Sequence, residues 1–252
     1  MKTRISTSLI TAGLLVAVSV PVNAQQRMLE EVVDTAQKRA ESAQDVPVAL
    51  SAISSDMMEN VGITGTQDLT KLSPSLTATT ANSKQNSGFR LRGVGTSAFS
   101  VGVEQSVAVI IDDVSTVQAG QSIGNLVDIE RVEVLRGPQS TLFGKSASAG
   151  VVSIVTKPPA NEFEGSVELS LTDDDEERIL ASISGPISET LGYRLTGNWS
   201  DRDGFIDNKA LGEDVHGEES KGVRGKLRWD VSDSAEVMPV SYTHLRAHET
   251  KT

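Results

Sequence analysis

Four groups of residues have the types and spacing that chemistry asks for. Gly120-Gln121-Ser122-Ile123-Gly124 matches the G-x-S-x-G turn that presents a nucleophilic serine, and His216 follows in an order a hydrolase permits. Gly144-Lys145-Ser146 ends like a phosphate-binding loop. Asp112-Asp113 sets two carboxylates together for a metal, and His244 and His248 stand at the i, i+4 spacing of paired metal ligands. Each group needs elements to position it, and the elements are missing. The serine turn requires a buried strand before it and a helix after it, but neither flank has that pattern, and His216 sits in an acidic stretch. Gln139 stands where a phosphate loop needs its first glycine. A turn between two strands accounts for the aspartates more simply. With no Cys, disulfides, thiolate metal sites and Cys nucleophiles are excluded. No catalytic residue, metal or cofactor is expected.

The ends of the chain differ from its middle. Lys2 and Arg4 precede an apolar stretch from Leu9 to Val20, and Val22-Asn23-Ala24 supplies small residues for cleavage, so residues 1–24 read as an export signal. At the other end, residues 239–252 read as a non-native tail, because Val240-Ser241-Tyr242-Thr243-His244-Leu245-Arg246-Ala247-His248 looks like the translation of a sequencing adapter. No function is drawn from its histidines. The 252 residues carry a formal charge of −11 and no basic block, which argues against a nucleic-acid partner. No apolar run is long enough for a membrane-spanning helix.

Between the ends the chain has two textures. Over residues 40–160, short apolar runs are broken by Gly, Ser and Asn. Val46–Ile53, Phe89–Val94, Val107–Ile111, Arg131–Leu135 and Val151–Val155 read as strands. Ser55–Asn60 reads as a helix capped by Ser54 or Ser55 and stopped by Gly62, and Thr66–Leu72 as another ended before Pro74. This is a small mixed α+β domain. Over residues 161–238 the period becomes two. Val167, Leu169 and Leu171 alternate with Ser166, Glu168 and Ser170, while Tyr193, Leu195 and Trp199 alternate with Arg194, Thr196 and Asn198. Ile179, Ala181 and Ile183 follow the rhythm less cleanly, and Val223, Leu227 and Trp229 alternate with Arg224, Lys226 and Arg228. Four such strands fit either a soluble sandwich with its apolar face inside or a membrane barrel with it outside. Residues 161–238 hold 19 acids, 12 of them in Asp173–Glu177 and Asp201–Glu219. Both groups would face one side of the membrane if the strands form a barrel.

The motifs separate these options. Leu29-Glu30-Glu31-Val32-Val33-Asp34-Thr35-Ala36 lies near the expected mature start. Phe89-Arg90-Leu91-Arg92-Gly93-Val94-Gly95 and Val107-Ala108-Val109-Ile110-Ile111-Asp112-Asp113 follow. Then come Glu130-Arg131-Val132-Glu133-Val134-Leu135-Arg136-Gly137-Pro138, Phe143-Gly144 and Val151–Lys157. In order and spacing, this set resembles the TonB-dependent outer-membrane receptors over Leu29 to Asp230. The resemblance implies a plug domain followed by the first antiparallel strands of a truncated transmembrane β-barrel of about 22 strands. It implies a Gram-negative outer-membrane location, contact with outer-membrane lipid, and uptake of a small-molecule substrate such as a ferric siderophore. It also implies energy delivered by TonB, with no covalent catalysis.

Residues 25–39 would carry the TonB box, with Glu30, Glu31, Val32, Val33, Asp34, Thr35 and Ala36 offered as an extended, unpaired strand to the periplasmic C-terminal domain of TonB. Asp34 departs from the apolar residue usual there. Arg90, Arg92, Gly93, Arg136, Gly137, Pro138 and Gly144 would be structural plug residues. Gly137 permits a reversal before Pro138, and the three arginines serve either as scaffold, the preferred reading, or as bidentate pins to barrel carboxylates.

Overall fold

The computed structural model describes residues 33–34, 41–42, 48–79, 87–96, 103–116, 119–172, 176–204, 206–209, 213–215, 217–232 and 235–248. The expected export signal and most of the expected TonB box lie outside these residues. Two short strands, β1 (Val33–Asp34) and β2 (Glu41–Ser42), pair antiparallel.

The mixed domain is a five-stranded sheet. Its strands are β3 (Ala49–Ser54), β6 (Val107–Ile111), β7 (Val114–Ser115), β8 (Ile129–Arg136) and β9 (Gly150–Thr156), in the order β3-β8-β9-β6-β7. Only β6 and β9 run parallel. A separate hairpin joins β4 (Leu76–Thr79) to β5 (Gly88–Leu91). The central strands read as unbroken Val/Ile runs because both of their faces are covered. Val107, Val109, Val132, Val134, Val152 and Ile154 point to one cluster, which includes Met58 and Leu69. Ala108, Ile110, Leu135 and Val151 point to the other.

Local signals place the helices. In α1 (Ser55–Val61), Ser54 accepts from the Met57 amide at 3.3 Å, and Gly62 ends the helix at φ 68°. Thr66–Lys71 is a 3₁₀ helix rather than an α-helix, and Asp68 accepts from the Gly65 amide at 3.1 Å. Ser54→Ala leaves an N-terminal amide of α1 without its cap. It is expected to lower the stability of this domain by about 1 kcal/mol in urea titration. Single-turn helices α2 (Ala119–Ser122) and α3 (Ser140–Phe143) complete the domain.

The second texture is an antiparallel sheet of β10 (Glu164–Leu171), β11 (Glu176–Ser188), β12 (Leu191–Arg202) and β15 (Glu218–Ser232) in that order. A hairpin of β13 (Ile206–Asn208) and β14 (Glu213–Val215) stands between β12 and β15. Two further strands, β16 (Ala235–Val237) and β17 (Val240–His248), both pair with β15. Residues 240–248, set apart in the sequence as foreign, therefore continue this sheet. The strands are longer than the alternation indicates. Glu176, Glu177, Asp201, Glu218 and Glu219 belong to strand ends rather than connections, and Glu177, Asp201 and Glu219 fall in one lateral row. No cluster among the described residues has the arrangement of a metal site.

Candidate functional site

The second sheet packs its polar face inward. Register places Leu169 opposite Ile179 and Ile179 opposite Trp199, and it places Gly197 opposite Val223 and Tyr193 opposite Leu227. This apolar face is open: Val167 and Leu169 are each 71% exposed, and Trp229 is 52% exposed. Trp229 pairs with Leu191, two residues from Tyr193, so both aromatics sit at one end of the strands. The alternate residues Arg178, Ser184, Arg194, Thr196, Ser200, Ser220, Arg224 and Lys226 are buried. A sandwich reverses this order, because water drives its apolar faces together. Apolar outside and polar inside is the order of a barrel wall in lipid.

The buried polar face meets the mixed domain along two segments. At the first, Asn125 Nδ2 donates to Ser200 Oγ at 3.1 Å, and Arg178 Nη2 donates to the Leu126 carbonyl at 2.6 Å. Arg224 Nη1 donates to the Val127 carbonyl at 2.8 Å. Asp128 receives Arg194 Nε and Nη2 in a bidentate pair, each at 2.6 Å, and Thr196 Oγ1 at 2.6 Å. At the second, Lys226 Nζ donates to the Thr156 carbonyl at 2.9 Å and lies 3.1 Å from Asp112 Oδ2. Arg228 reaches the Pro159 carbonyl and Asn161 Oδ1 at 3.1 and 2.7 Å.

Two aspartates in left-handed turns anchor this seam. Asp112 at φ 45° and Asp128 at φ 53° adopt a conformation that L-residues enter at a cost, which Asp bears better than most. Asp112 also accepts from the amide and hydroxyl of Thr156 at 2.9 and 2.7 Å, tying the end of β6 to the end of β9. The aspartate pair is thus the strand-joining turn expected, and one of its carboxylates is also an anchor. Burial pushes the Asp128 carboxyl up. Hydrogen bonds from Arg194 and Thr196, with the charges of Arg194 and Lys157, outweigh burial and hold it below its ordinary 3.8.

The predicted site residues fall elsewhere. Arg136 donates to Ser51 Oγ at 2.6 Å and to the Leu50 carbonyl at 3.0 Å, binding β3 to β8 inside the mixed domain. Arg92 and Gly93 form the exposed turn after β5, at φ 50° and 81°. Arg90 lies half-buried on β5. Gly137 takes φ 98° before Pro138, with its amide bonded to the Ala149 carbonyl at 3.1 Å. Gly144 closes α3 at φ 83°. The pins across the seam therefore have the opposite polarity to the one considered: the strands give the cations and the mixed domain gives the carboxylates. Alternation of Arg224, Lys226 and Arg228 on one strand face was the available signal. Nothing local marks Val127, Asp112 and Pro159 as their partners, or Asp128 as the partner of Arg194.

For the box, Val33 and Asp34 are paired with Ser42 and Glu41 rather than unpaired, and residues 30–32 and 35–36 lie outside the described residues. The serine-turn reading fails on position. Ser122 is the last residue of a single helical turn and is buried, with its carbonyl accepting from Thr66 Oγ1 at 3.0 Å. His216 lies outside the described residues. Lys145 pairs with Glu104 and stays exposed.

Known proteins share this arrangement. Residues 42–151 match the family model of the TonB-dependent Receptor Plug Domain. The chain is 31% identical over 202 residues to the pesticin receptor of Yersinia pestis, covering 80% of this chain and 30% of that receptor. It is 39% identical over 122 residues to a probable TonB-dependent siderophore receptor, PirA, of Acinetobacter baumannii, covering 44% of this chain and 16% of the relative. The solved ferric yersiniabactin uptake receptor FyuA of Yersinia pestis superposes with a TM-score of 0.73 at 29% identity, over 79% of this chain and 32% of that one. The pyoverdine outer membrane receptor FpvA of Pseudomonas aeruginosa shares the fold at a TM-score of 0.69 and 20% identity, over 83% and 29%. The chain spans about a third of the length of the pesticin receptor, FyuA and FpvA, and a smaller share of PirA. With a plug-domain match, a sheet that wraps it with inverted polarity, and relatives of this kind, the chain carries over residues 42–151 the plug domain of the TonB-dependent receptors, and its relatives place it at the Gram-negative outer membrane.

Proposed function

We propose that the receptor containing this chain performs TonB-dependent uptake of a ferric siderophore across the outer membrane. The observation that carries the reading is the inverted sheet seated on the plug: its buried cations hold a removable body in place, while its open apolar face suits lipid. Relatives named as siderophore receptors supply the substrate class. In this reading residues 1–24 direct export and residues 25–39 hold the TonB box. Residues 40–160 plug the lumen, and residues 161–238 begin the wall. TonB captures the box by adding an extended strand to a sheet edge, so pairing of Val33–Asp34 with Glu41–Ser42 must give way to it. Pulling then displaces the plug and opens a path. The mechanism is binding and gating, without covalent chemistry.

Deleting residues 29–36 from the full-length receptor tests this. Iron-55 supplied as ferric yersiniabactin is expected to bind the cell surface as before, while accumulation falls to the level of cells lacking TonB. Undiminished accumulation by the deletion variant would refute energisation through this segment.

A further inference from the structure

Strands β1 and β2 form a sheet of their own, two residues to a strand and joined to no other described strand. An isolated two-stranded ribbon is marginal in water even at full length. This one has a further handicap in its register. Val33 stands opposite Ser42, and Asp34 stands opposite Glu41. Like charges directly opposite one another in an antiparallel pair disfavour the pairing. Lys38 and Arg39 fall between the two strands in sequence and hold no register position opposite either acid. The long ladder of β12 with β15 also contains an acid pair, Asp201 opposite Glu219, but its many other pairs hold it together. The ribbon of β1 and β2 has a single other pair.

Capture by strand addition exchanges one cross-strand partner for another. Strand β2 competes with the incoming strand for the backbone of Val33–Asp34, and the fraction of receptor in which that backbone is free scales the apparent affinity. Any strand without an acid opposite Asp34 is a better partner than β2. The exchange therefore runs toward the incoming strand, and the residue that sets its bias is Glu41, which lies outside residues 25–39.

We propose that β2 is an autoinhibitory placeholder for the TonB strand, and that the opposition of Asp34 and Glu41 keeps it weak enough to be displaced. Glu41 is a positioning residue that acts through the resting pair and makes no contact with TonB. This rests on the reading above in which residues 25–39 hold the TonB box, and it adds a residue outside the box that governs how readily the box is captured.

The test measures binding of the periplasmic C-terminal domain of TonB to the full-length receptor. Glu41→Lys turns the like-charge pair into an attractive one and is expected to weaken that binding about threefold. Ser42→Lys adds the same charge one position away, opposite Val33, and is expected to bind as the parent does. A Glu41→Lys receptor that binds as tightly as the parent, or a Ser42→Lys receptor weakened equally, would overturn the placeholder and leave the box reading standing. A second measurement locks the pair. The chain has no Cys, so Val33→Cys with Ser42→Cys supplies its only thiols, at opposed register positions. Oxidation is expected to abolish binding of the TonB domain, and a reductant to restore it to the level of Val33→Cys alone. Failure of the two thiols to cross-link in the resting receptor, or undiminished binding once they are cross-linked, overturns the placeholder. If Val33→Cys alone abolishes binding, the Lys variants decide. A parent receptor that does not bind the TonB domain, or binds it equally well without residues 29–36, overturns the box reading and the placeholder together.

Discussion

Asp128→Asn in the full-length receptor is expected to loosen the plug by about 3 kcal/mol, read as the urea concentration at which it becomes protease-sensitive. The substitution keeps the shape of the side chain, so no cavity forms and the β8 turn is still accessible to an Asn at φ 53°. What it removes is charge. Arg194 is buried at 5% exposure and donates two parallel bonds to this carboxylate. Breaking a buried pair leaves the remaining ion uncompensated, which is worth roughly 3–5 kcal/mol. Glu164 stays beside Arg194, so the lower figure applies. The pH dependence has a defined sign. A carboxyl held below its ordinary 3.8 in the folded protein contributes stability that is fully present above that value and lost as pH falls below it. The wild-type seam is therefore expected to stay shut through mildly acidic conditions and to loosen only below pH 3.8, whereas Asp128→Asn should lack that acid limb. A variant with an unchanged urea midpoint would show that the bidentate pair does not hold the plug.

The sequence made some of this legible and hid the rest for physical reasons. Local signals were readable because they act over a few residues. Ser54 and Gly62 bound α1, and Val107–Ile111 is a strand at the limits its apolar run indicates. The barrel-like strands were readable because lipid and lumen impose a period of two on every one of them. Their ends were not, because Glu176–Glu177 and Glu218–Glu219 are acidic and look like loop, yet pair across the sheet. Strand β4 was missed because Leu76–Thr79 is short, with one fully buried side chain, and its pairing with β5 is a tertiary decision. The seam was the least legible part. Asp128 is 66 residues from Arg194, and Asp112 is 114 from Lys226, so no spacing rule connects them. What could be foreseen was the kind of bond, a bidentate arginine–carboxylate pair between plug and wall. Which body supplies the cation depends on how the two faces meet.

The polarity has a consequence for how the parts depend on one another. Every seam cation lies on β11, β12 or β15, and it is the turns at one end of the plug sheet that receive them. Those turns are fixed only if the β8–β9–β6 junction behind them is sound, and Gly150 is the residue where that junction is tightest. It pairs with Val107 on one side and Arg136 on the other, at φ 155°. A Cβ there would stand under 3.0 Å from both the Leu135 carbonyl oxygen and Leu91 Cδ1. The carbonyl is part of the strand ladder and cannot rotate away, and Leu91 is fully buried. Gly150→Ala thus combines an unfavourable backbone conformation with overpacking against a rigid neighbour. It is expected to cost about 4 kcal/mol, enough to leave the plug unfolded in much of the population, seen as protease sensitivity without denaturant. Gly137→Ala is the control, because Gly137 also has positive φ, at 98°, but its Cβ would meet nothing within 4 Å. It should cost only about 1 kcal/mol. Equal effects at the two glycines would mean that backbone conformation, rather than the close approach of β9 to β8, sets the stability of the junction on which the aspartate anchors rest.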